Sequence, residues 1–456
     1  MDYPFHIINS GIKTKTIALP KRAMAKEHLY VSTRIKFTIS TLIATLWFLT
    51  SSYISIPWIK DLGEIIGIPL SIIIIMFIAL IPGFLNLHLL TSVIMDKPKP
   101  LPKRVHLPPV SILIAAYNEE DVISETIHSI LQQNYPNDVE IVIADDGSTD
   151  HTVYIVRSLN LKNLKLVCAE HGGKAHALNE GLEHTSNNLV VTIDADTFLY
   201  KEALRRIVMR LITDPPNTAA VAGSVLVKNS RSTFLAKLQE WDYFVAIASV
   251  KRQQSLYQGT LVAQGAFSIF KKTQLKRVAG WPDVIGEDIV LTWALLKRGY
   301  RIGFEPTAIG FTTAPTTIKR FARQRIRWAR GMIEGIKRHG NLVWRMPSIP
   351  SFFVAVDFLF PLLDFAYSVF FIPGLVLAFM GKFYIAGPTT LFVLPINLII
   401  IYVMYRKGKK VFDELGLIVR RNRLGIIVYI LFYQMIMSPV CLFGYTKELF
   451  KLPRKW

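Results

Sequence analysis

The sequence predicts an α/β domain with a mostly parallel sheet, inserted between two groups of membrane-spanning helices. Three observations predict it. Uncharged apolar runs of the kind a helix needs to cross a bilayer lie at Phe37 to Ile59, Ile65 to Met95, Phe365 to Met380, Phe383 to Tyr405 and Leu424 to Tyr445. Between the second and third, a polar stretch alternates short apolar runs with helical periodicity, the pattern of βαβ units with right-handed crossovers. Within it, the β-branched run Leu189 to Ile193 has the composition of a buried parallel strand and closes on Asp194-Ala195-Asp196.

Taken in order, residues 1–36 form a basic leader, expected on the cytoplasmic side. Two membrane helices follow within 37–96, with a turn at Lys60 to Glu64. Pro98, Pro100, Pro102 and Pro108 stiffen a linker over 97–108. The soluble domain spans 109–345. Strands are expected at Val110 to Ala115, Glu140 to Ala144, Leu164 to Cys168 and Leu189 to Ile193. Helices are expected at Asp121 to Gln133, His151 to Leu159, Lys174 to His184 and Ile289 to Arg298. Two amphipathic stretches, 231–257 and 318–337, suit helices lying on the inner leaflet, although both also suit ordinary surface helices of the domain. The remainder, 346–456, reads as an interfacial segment that enters the bilayer near Phe365, followed by about three spans. Asp357 and Asp364 interrupt its apolar run.

With 456 residues, a formal net charge of +20 and a mean hydropathy of +0.34, the chain is basic and apolar at once. Its Lys and Arg residues cluster beside the apolar runs, as at Lys13 to Lys36, Lys97 to Arg104, Lys319 to Arg330 and Arg406 to Lys410. That is the positive-inside pattern, with attraction to anionic membrane lipids, so no nucleic-acid partner is expected. The first apolar run is no cleavable signal, because a long basic segment precedes it and a second span follows. Cys168 and Cys441 give neither a disulfide framework nor a metal spacing.

Strand ends facing the same crevice are where ligands bind in open parallel sheets. Strand alternation would send Asp194 and Asp196 the same way, toward a hard dication such as Mg²⁺ or Mn²⁺ shared with substrate phosphates. Alone, the pair could equally cap the next helix. Tyr117 and Glu119 follow the first strand; Tyr117 offers a flat face to a nucleobase, and Asn118 suits a helix cap. Asp145 and Asp146 close the second strand, where a carboxylate could accept the imide N–H of uracil; an Asx turn reads equally well. Gly172-Gly173-Lys174 can bring amides and an ammonium to a phosphate, without Walker spacing. Glu287 and Asp288 open a helix, as dipole-favoured acids or as a general base for a hydroxyl acceptor. Gln324, Arg327 and Trp328 lie on the second amphipathic stretch. Arg327 suits a diphosphate and Trp328 a sugar face; a basic stripe against lipid is the alternative.

In this order the residues resemble the processive, membrane-integrated family 2 glycosyltransferases, whose motifs are D, DxD, (T/G)ED and QxxRW. Pro109 to Glu119, Gly173 to Asn179 and Leu238 to Tyr243 are similar to the poly-β-1,6-N-acetylglucosamine synthase branch. Gly286 and Gln264-Gly265-Ala266 depart from it. The resemblance implies a GT-A fold and inverting transfer from a UDP-sugar, such as UDP-GlcNAc, to a growing polysaccharide that leaves through the membrane helices. It also implies a place in the inner (plasma) membrane with the catalytic domain cytoplasmic, and a small membrane accessory subunit among the partners. By the same resemblance, Tyr117, Glu119, Asp146, Lys174 and Asp194 hold the nucleotide, and Asp194 and Asp196 hold Mg²⁺ or Mn²⁺. Asp288 is the base, Gln324, Arg327 and Trp328 clamp diphosphate and acceptor, and Asp145 and Glu287 support. Single transfer to a membrane lipid is the alternative chemistry. A non-catalytic scaffold is a further alternative, which predicts broken acids where this chain keeps them.

Overall fold

A computed structural model describes residues 31–102, 105–345, 348–386, 393–419 and 421–453. Most of the basic leader lies outside these residues. Helix α1 (Thr33–Ile54) is capped by the Ser32 hydroxyl, which accepts from the Ile35 amide. Helix α2 (Ile56–Ile66) contains the whole Lys60 to Glu64 stretch expected as a turn. Leu62 on its inner face is buried against Ile74 and Ile75, so the charged residues line the outer face of a helix. The chain reverses instead at Gly67, whose φ of 88° suits only glycine. Helix α3 (Ile68–Met95) then runs back to the domain.

The soluble domain is an eight-stranded sheet, β1 (Val110–Ala116), β2 (Val139–Asp145), β3 (Leu164–Cys168), β4 (Leu189–Ile193), β5 (Phe198–Leu199), β6 (Thr218–Val227), β7 (Phe267–Lys271) and β8 (Arg301–Thr312), in spatial order 3-2-1-4-7-6-8-5. The first four strands pair parallel, as the alternation predicts, connected by α4 (Ile123–Leu131), α5 (Thr152–Ser158) and α6 (Lys174–His184). Strand β4 is buried throughout. On its other side β7 runs antiparallel, and β6 and β8 pair parallel with an irregularity at Gly223/Ser224. Helix α7 (Ala203–Thr213) covers one face through Leu204, Ile207, Val208 and Leu211. The first amphipathic stretch is two helices, α8 (Phe234–Trp241) and α9 (Ala248–Leu256), joined by a π-type turn over Asp242–Ile247. Two more helices, α10 (Lys272–Arg277) and α11 (Glu287–Lys297), precede β8.

The second amphipathic stretch forms α12 (Ile318–His339). Its apolar face packs on protein: Phe321 against Tyr433 and Leu238, and Ala329 and Ile333 against Tyr445. After the short α13 (Leu342–Arg345), helix α14 (Ile349–Phe379) runs unbroken through Phe365, the point where the sequence suggests entry into the bilayer. Asp364 is buried, receiving hydrogen bonds from Ser438 (2.6 Å) and Tyr445 (2.9 Å). Intramembrane acids behave in this way, facing a helical partner. Helix α15 (Val393–Leu415) carries Arg406 to Lys410 in its second half, and α16 (Arg423–Leu449) ends the described chain. Among the described residues, four helices, α1, α3, α14 and α16, are long and apolar enough to cross a membrane.

Helix α12 is wedged between the domain and α16 at two glycine contacts. A Cβ added to Gly331 would stand 2.7 Å from the Cα of Gly286, and one added to Gly444 of α16 would stand 2.7 Å from the Ala329 Cβ. A Cβ at Gly286 would meet the Gly331 Cα at 2.4 Å, which explains why glycine stands where the resembled branch has threonine. Gly331→Val is expected to cost about 1–3 kcal/mol, the range of overpacking. Thermal unfolding of the purified protein in detergent measures this cost, and an unchanged midpoint would refute the close seat.

Candidate active site

The site begins where β1 and β2 stop. Asn118 adopts a φ of 54° and is not a helix cap. Its side chain accepts from the Thr149 amide (2.8 Å), while its amide donates to the Ser148 hydroxyl (3.0 Å). The Glu119 amide donates to Thr152 (2.8 Å). The turn after β1 is thus laced to the turn after β2. Tyr117 projects from it, 44% exposed, and stacks on His171 with centroids 4.5 Å apart.

Asp146 is fully engaged: its carboxylate accepts from the amides of Gly172 (2.9 Å) and Gly173 (3.0 Å), and His171 Nδ1 lies 2.9 Å away. The glycine amides expected to cradle a phosphate are therefore given to Asp146. Asp145 differs. Its Oδ2 accepts from the Ser148 amide (3.0 Å), whereas Oδ1 is buried with no hydrogen-bond partner. A buried acceptor without a donor is costly, so the spare acceptor at this strand end belongs to Asp145 and not to Asp146.

Strand β4 ends at Ile193, and the two acids beyond it sit on a turn closed by the Thr197 amide on the Asp194 carbonyl (2.9 Å). The turn, and not strand alternation, brings them together. Lys174 at the start of α6 reaches across to Asp194 (2.5 Å) and to Glu287 (3.4 Å), so one ammonium ties the acid pair to the start of α11. Asp288 is the next residue, and its Oδ1 accepts from the Ile289 amide (2.8 Å). Asp196 accepts from Thr312 (3.2 Å) at the end of β8.

The fields follow. Glu119 is pushed up to about 7 by burial, then by Asp196 and Asp194. Burial and the charge of Asp194 raise Asp196 as well. Burial pushes the Glu287 carboxyl up, with Lys174 opposing and Asp288 adding to it. Lys174 is lowered by burial but raised further by Asp194 and Glu287. Crowded carboxylates that resist ionisation invite a cation. Among the described residues no three metal-ligating side chains converge. Asp194 and Asp196 therefore fit a hard ion that takes its other oxygens from nucleotide phosphates and water.

The third motif arrives from α12. Trp328 is 36% exposed and lies 6.3 Å from the Tyr243 ring. Arg327 is exposed, and its charge acts on Lys174. The Gln324 Oε1 is buried without a partner. The sequence reading missed Arg325. It is 2% exposed, pairs with Asp242 (2.9 Å), and holds its guanidinium 4.1 Å from the Trp328 ring; Asp242 also accepts from Tyr433 of α16 (2.9 Å). His171 was missed too, although it adjoins Gly172, whereas Tyr243, the last residue of the Leu238 to Tyr243 stretch, lies beside Trp328. Every sequence-predicted site residue lies on these converging turns or on α12, but Asp146 and the glycine amides satisfy one another.

Residues 108–331 match the family model described as glycosyltransferase like family 2. The protein thus carries a family 2 glycosyltransferase domain on a GT-A fold. The chain is 35% identical over 232 residues to poly-beta-1,6-N-acetyl-D-glucosamine synthase of Staphylococcus aureus and 37% identical over 232 residues to that of Staphylococcus epidermidis. Each alignment takes in 50% of this chain and 56% of the relative, so the chain spans little more than half the length of these curated relatives. A mannosyltransferase from Pyrobaculum calidifontis, solved with GDP-mannose and Mn²⁺, superposes with a TM-score of 0.58 at 24% identity, over 84% of this chain and 99% of its own. That likeness concerns the fold.

Affinity for a divalent cation should depend on pH. Glu119 gives up its proton only near pH 7, and Asp196 above its ordinary range. Mn²⁺ binding in the presence of UDP, followed by calorimetry, is expected to tighten steadily from pH 5 to pH 8. Glu119→Gln should flatten the upper part of that rise, and an identical slope in the variant would exclude Glu119 from the site.

Proposed function

We propose that the protein is a membrane-embedded inverting glycosyltransferase that elongates a β-linked exopolysaccharide from a UDP-sugar, with UDP-GlcNAc as donor. The observation that carries this reading is the Lys174 bridge, which gathers Asp194, Glu287 and, beside it, Asp288 into one pocket. The donor assignment draws on the names of the staphylococcal relatives. The four apolar helices and the basic clusters beside them favour a multi-pass inner-membrane protein with its catalytic domain in the cytoplasm.

In this reading Tyr117 takes the uracil ring on its exposed face, and the strand-end carboxylates meet its imide N–H. Asp194 and Asp196 hold Mg²⁺ or Mn²⁺, which when bound neutralises the leaving diphosphate. Arg327 adds a guanidinium to that diphosphate, and Trp328 lies along the acceptor sugar. Asp288 takes the proton of the acceptor hydroxyl. The new bond forms at the anomeric carbon as the bond to the UDP oxygen breaks, with inversion. Fixed helices next to the site give a hydrophilic chain a way out, and a small accessory subunit has membrane surface to dock on.

Transfer of one sugar to a membrane lipid is a second reading, and one observation favours it. A cavity of about 420 Å³ between α1, α3 and α14, lined by Phe48, Phe84, Leu85, Phe352 and Leu359, is apolar and suits a hydrocarbon tail.

The full-length protein in lipid nanodiscs, given UDP-GlcNAc and Mg²⁺, is expected to release UDP and build a polymer visible by mass spectrometry. Asp288→Asn should lower kcat by about 10²–10⁴-fold, the usual worth of a general base. Wild-type rates in that variant would remove Asp288 as the base, and a monoglycosylated lipid as sole product would select the second reading.

A further inference from the structure

Helix α11 begins without the ordinary means of closing its first turn. Its N-cap residue is Gly286, which has no side chain to accept from the amides of that turn. A larger residue has no room there, because the backbone of Gly331 in α12 lies against it. Elsewhere a glutamate or glutamine at the third helical position often reaches back to the N-cap amide; in α11 that position is Ile289. The missing acceptor comes from another element. Glu334 of α12 accepts the Gly286 amide at Oε2 (2.9 Å). The contact is shielded from water, with Glu334 only 4% exposed.

The turn closed in this way is the one that carries Glu287 and Asp288. Glu287 is also held by Lys174 (3.4 Å). Asp288 accepts the Ile289 amide at Oδ1 (2.8 Å), as a cap side chain would, and its carbonyl accepts from the Thr292 hydroxyl (2.6 Å). Helix α12 touches this turn on both sides of Asp288. Gly286, two residues before it, rests on Gly331. Ile289, the residue after it, rests on Gly335, where an added Cβ would stand 2.9 Å from Ile289 Cγ2. Gly331, Glu334 and Gly335 are spaced to share one face of α12. Arg327 stands about two turns before Glu334 on the same helix.

We propose that Glu334 is a positioning residue, its carboxylate holding the first turn of α11 so that Asp288 keeps its place relative to Arg327 and Trp328 on α12. The inference rests on the reading of Asp288 as the base. A buried carboxyl group is costly unless its oxygens find donors, and the Gly286 amide is such a donor. An aliphatic side chain of similar size would fill the same space but leave that amide without its acceptor. The turn would then be free to shift along α12, and Asp288 with it. A base works only within hydrogen-bond reach of the proton it takes, so kcat is the quantity such a shift touches. The residues assigned to uridine and to the cation stand on the turns after β1, β2 and β4, and donor binding is spared.

The test is the steady-state release of UDP from UDP-GlcNAc with Mg²⁺ by the full-length protein in nanodiscs. Glu334→Met should lower kcat by about 10–100-fold, the cost of moving a catalytic group by up to about 1 Å. Its donor KM, and its UDP affinity by calorimetry, should stay within about threefold of wild type. Glu334→Gln keeps an oxygen on the amide and should hold kcat within about threefold. Added to Asp288→Asn, Glu334→Met should cost no more than about twofold, because residues that act through one another are not additive. An unchanged kcat in Glu334→Met, a loss that appears in KM, equal losses in the two Glu334 variants, or a full further loss in the double variant overturns the proposal. If the methionine variant binds no UDP, Glu334→Asp replaces it. That variant keeps a carboxylate but falls one methylene short of Gly286, so it should lose kcat where Glu334→Gln retains it; any other order overturns the proposal. Wild-type activity in Asp288→Asn refutes the base reading itself, whereas an inactive Asp288→Asn with wild-type kcat in Glu334→Met refutes this inference alone.

Discussion

The seat of α12 governs the rest of the structure. The helix touches the loop before α11 on one side and the membrane helix α16 on the other, at separations only glycines allow. Buried polar groups fix its rotation along the length. Arg325 pairs with Asp242, Glu334 accepts the Gly286 amide (2.9 Å), and Arg330 pairs with Glu448 (3.0 Å). Burying such charges costs free energy unless they are paired and hydrogen-bonded, so the register tolerates little slippage. One consequence is that Gln324, Arg327 and Trp328 are held in place relative to α16 as well as to the sheet.

The charge arrangement has a similar logic. A single ammonium, Lys174, bridges Asp194 and Glu287, while Glu119 and Asp196 stand within the field of Asp194. Several of them are pushed toward protonation by burial and by one another. Such a cluster is incomplete electrostatically; in the proposed reading Asp194 and Asp196 would hold a divalent cation, which would supply the missing positive charge and free Lys174 for a phosphate. The same amine could then serve the apo and the loaded site in different contacts.

The parallel half of the sheet was legible because each strand is a β-branched run cut by a polar turn. The distal half was not. Strand β8 contains Gly303, Pro306 and Gly310, yet it stays in the sheet because it bulges over residues 306–308, between the Gly223–Glu305 and Ser224–Ile309 pairs. The Lys60 to Glu64 cluster looked like a turn since charge and glycine coincide there, but the apolar spacing of Trp58, Ile59 and Leu62 wins through contacts with α3. At the site, residue types were legible and pairings were not. That Asp146 consumes the glycine amides, leaving Asp145 the free acceptor, depends on contacts some 26 residues apart. Arg325 was hidden for the opposite reason: an arginine in a basic helix looks solvated, and only the fold shows it buried.

A site fixed in this way is tied to the apolar helices by direct buried contacts. Asp96, His88 and Ser92 of α3 hold α9, while Tyr433, Tyr445 and Glu448 of α16 hold α12 or its neighbours. Helix α9 holds the loop at Val262 through Lys251, and α12 carries Trp328. In the proposed reading, damage to the apolar helices should therefore appear as lost geometry around Trp328, with uridine binding at the β1 and β2 turns spared. In the proposed reading that separation follows from topology: the uridine side is built from the turns of the parallel strands, whereas Trp328 comes from α12, which also grips α16.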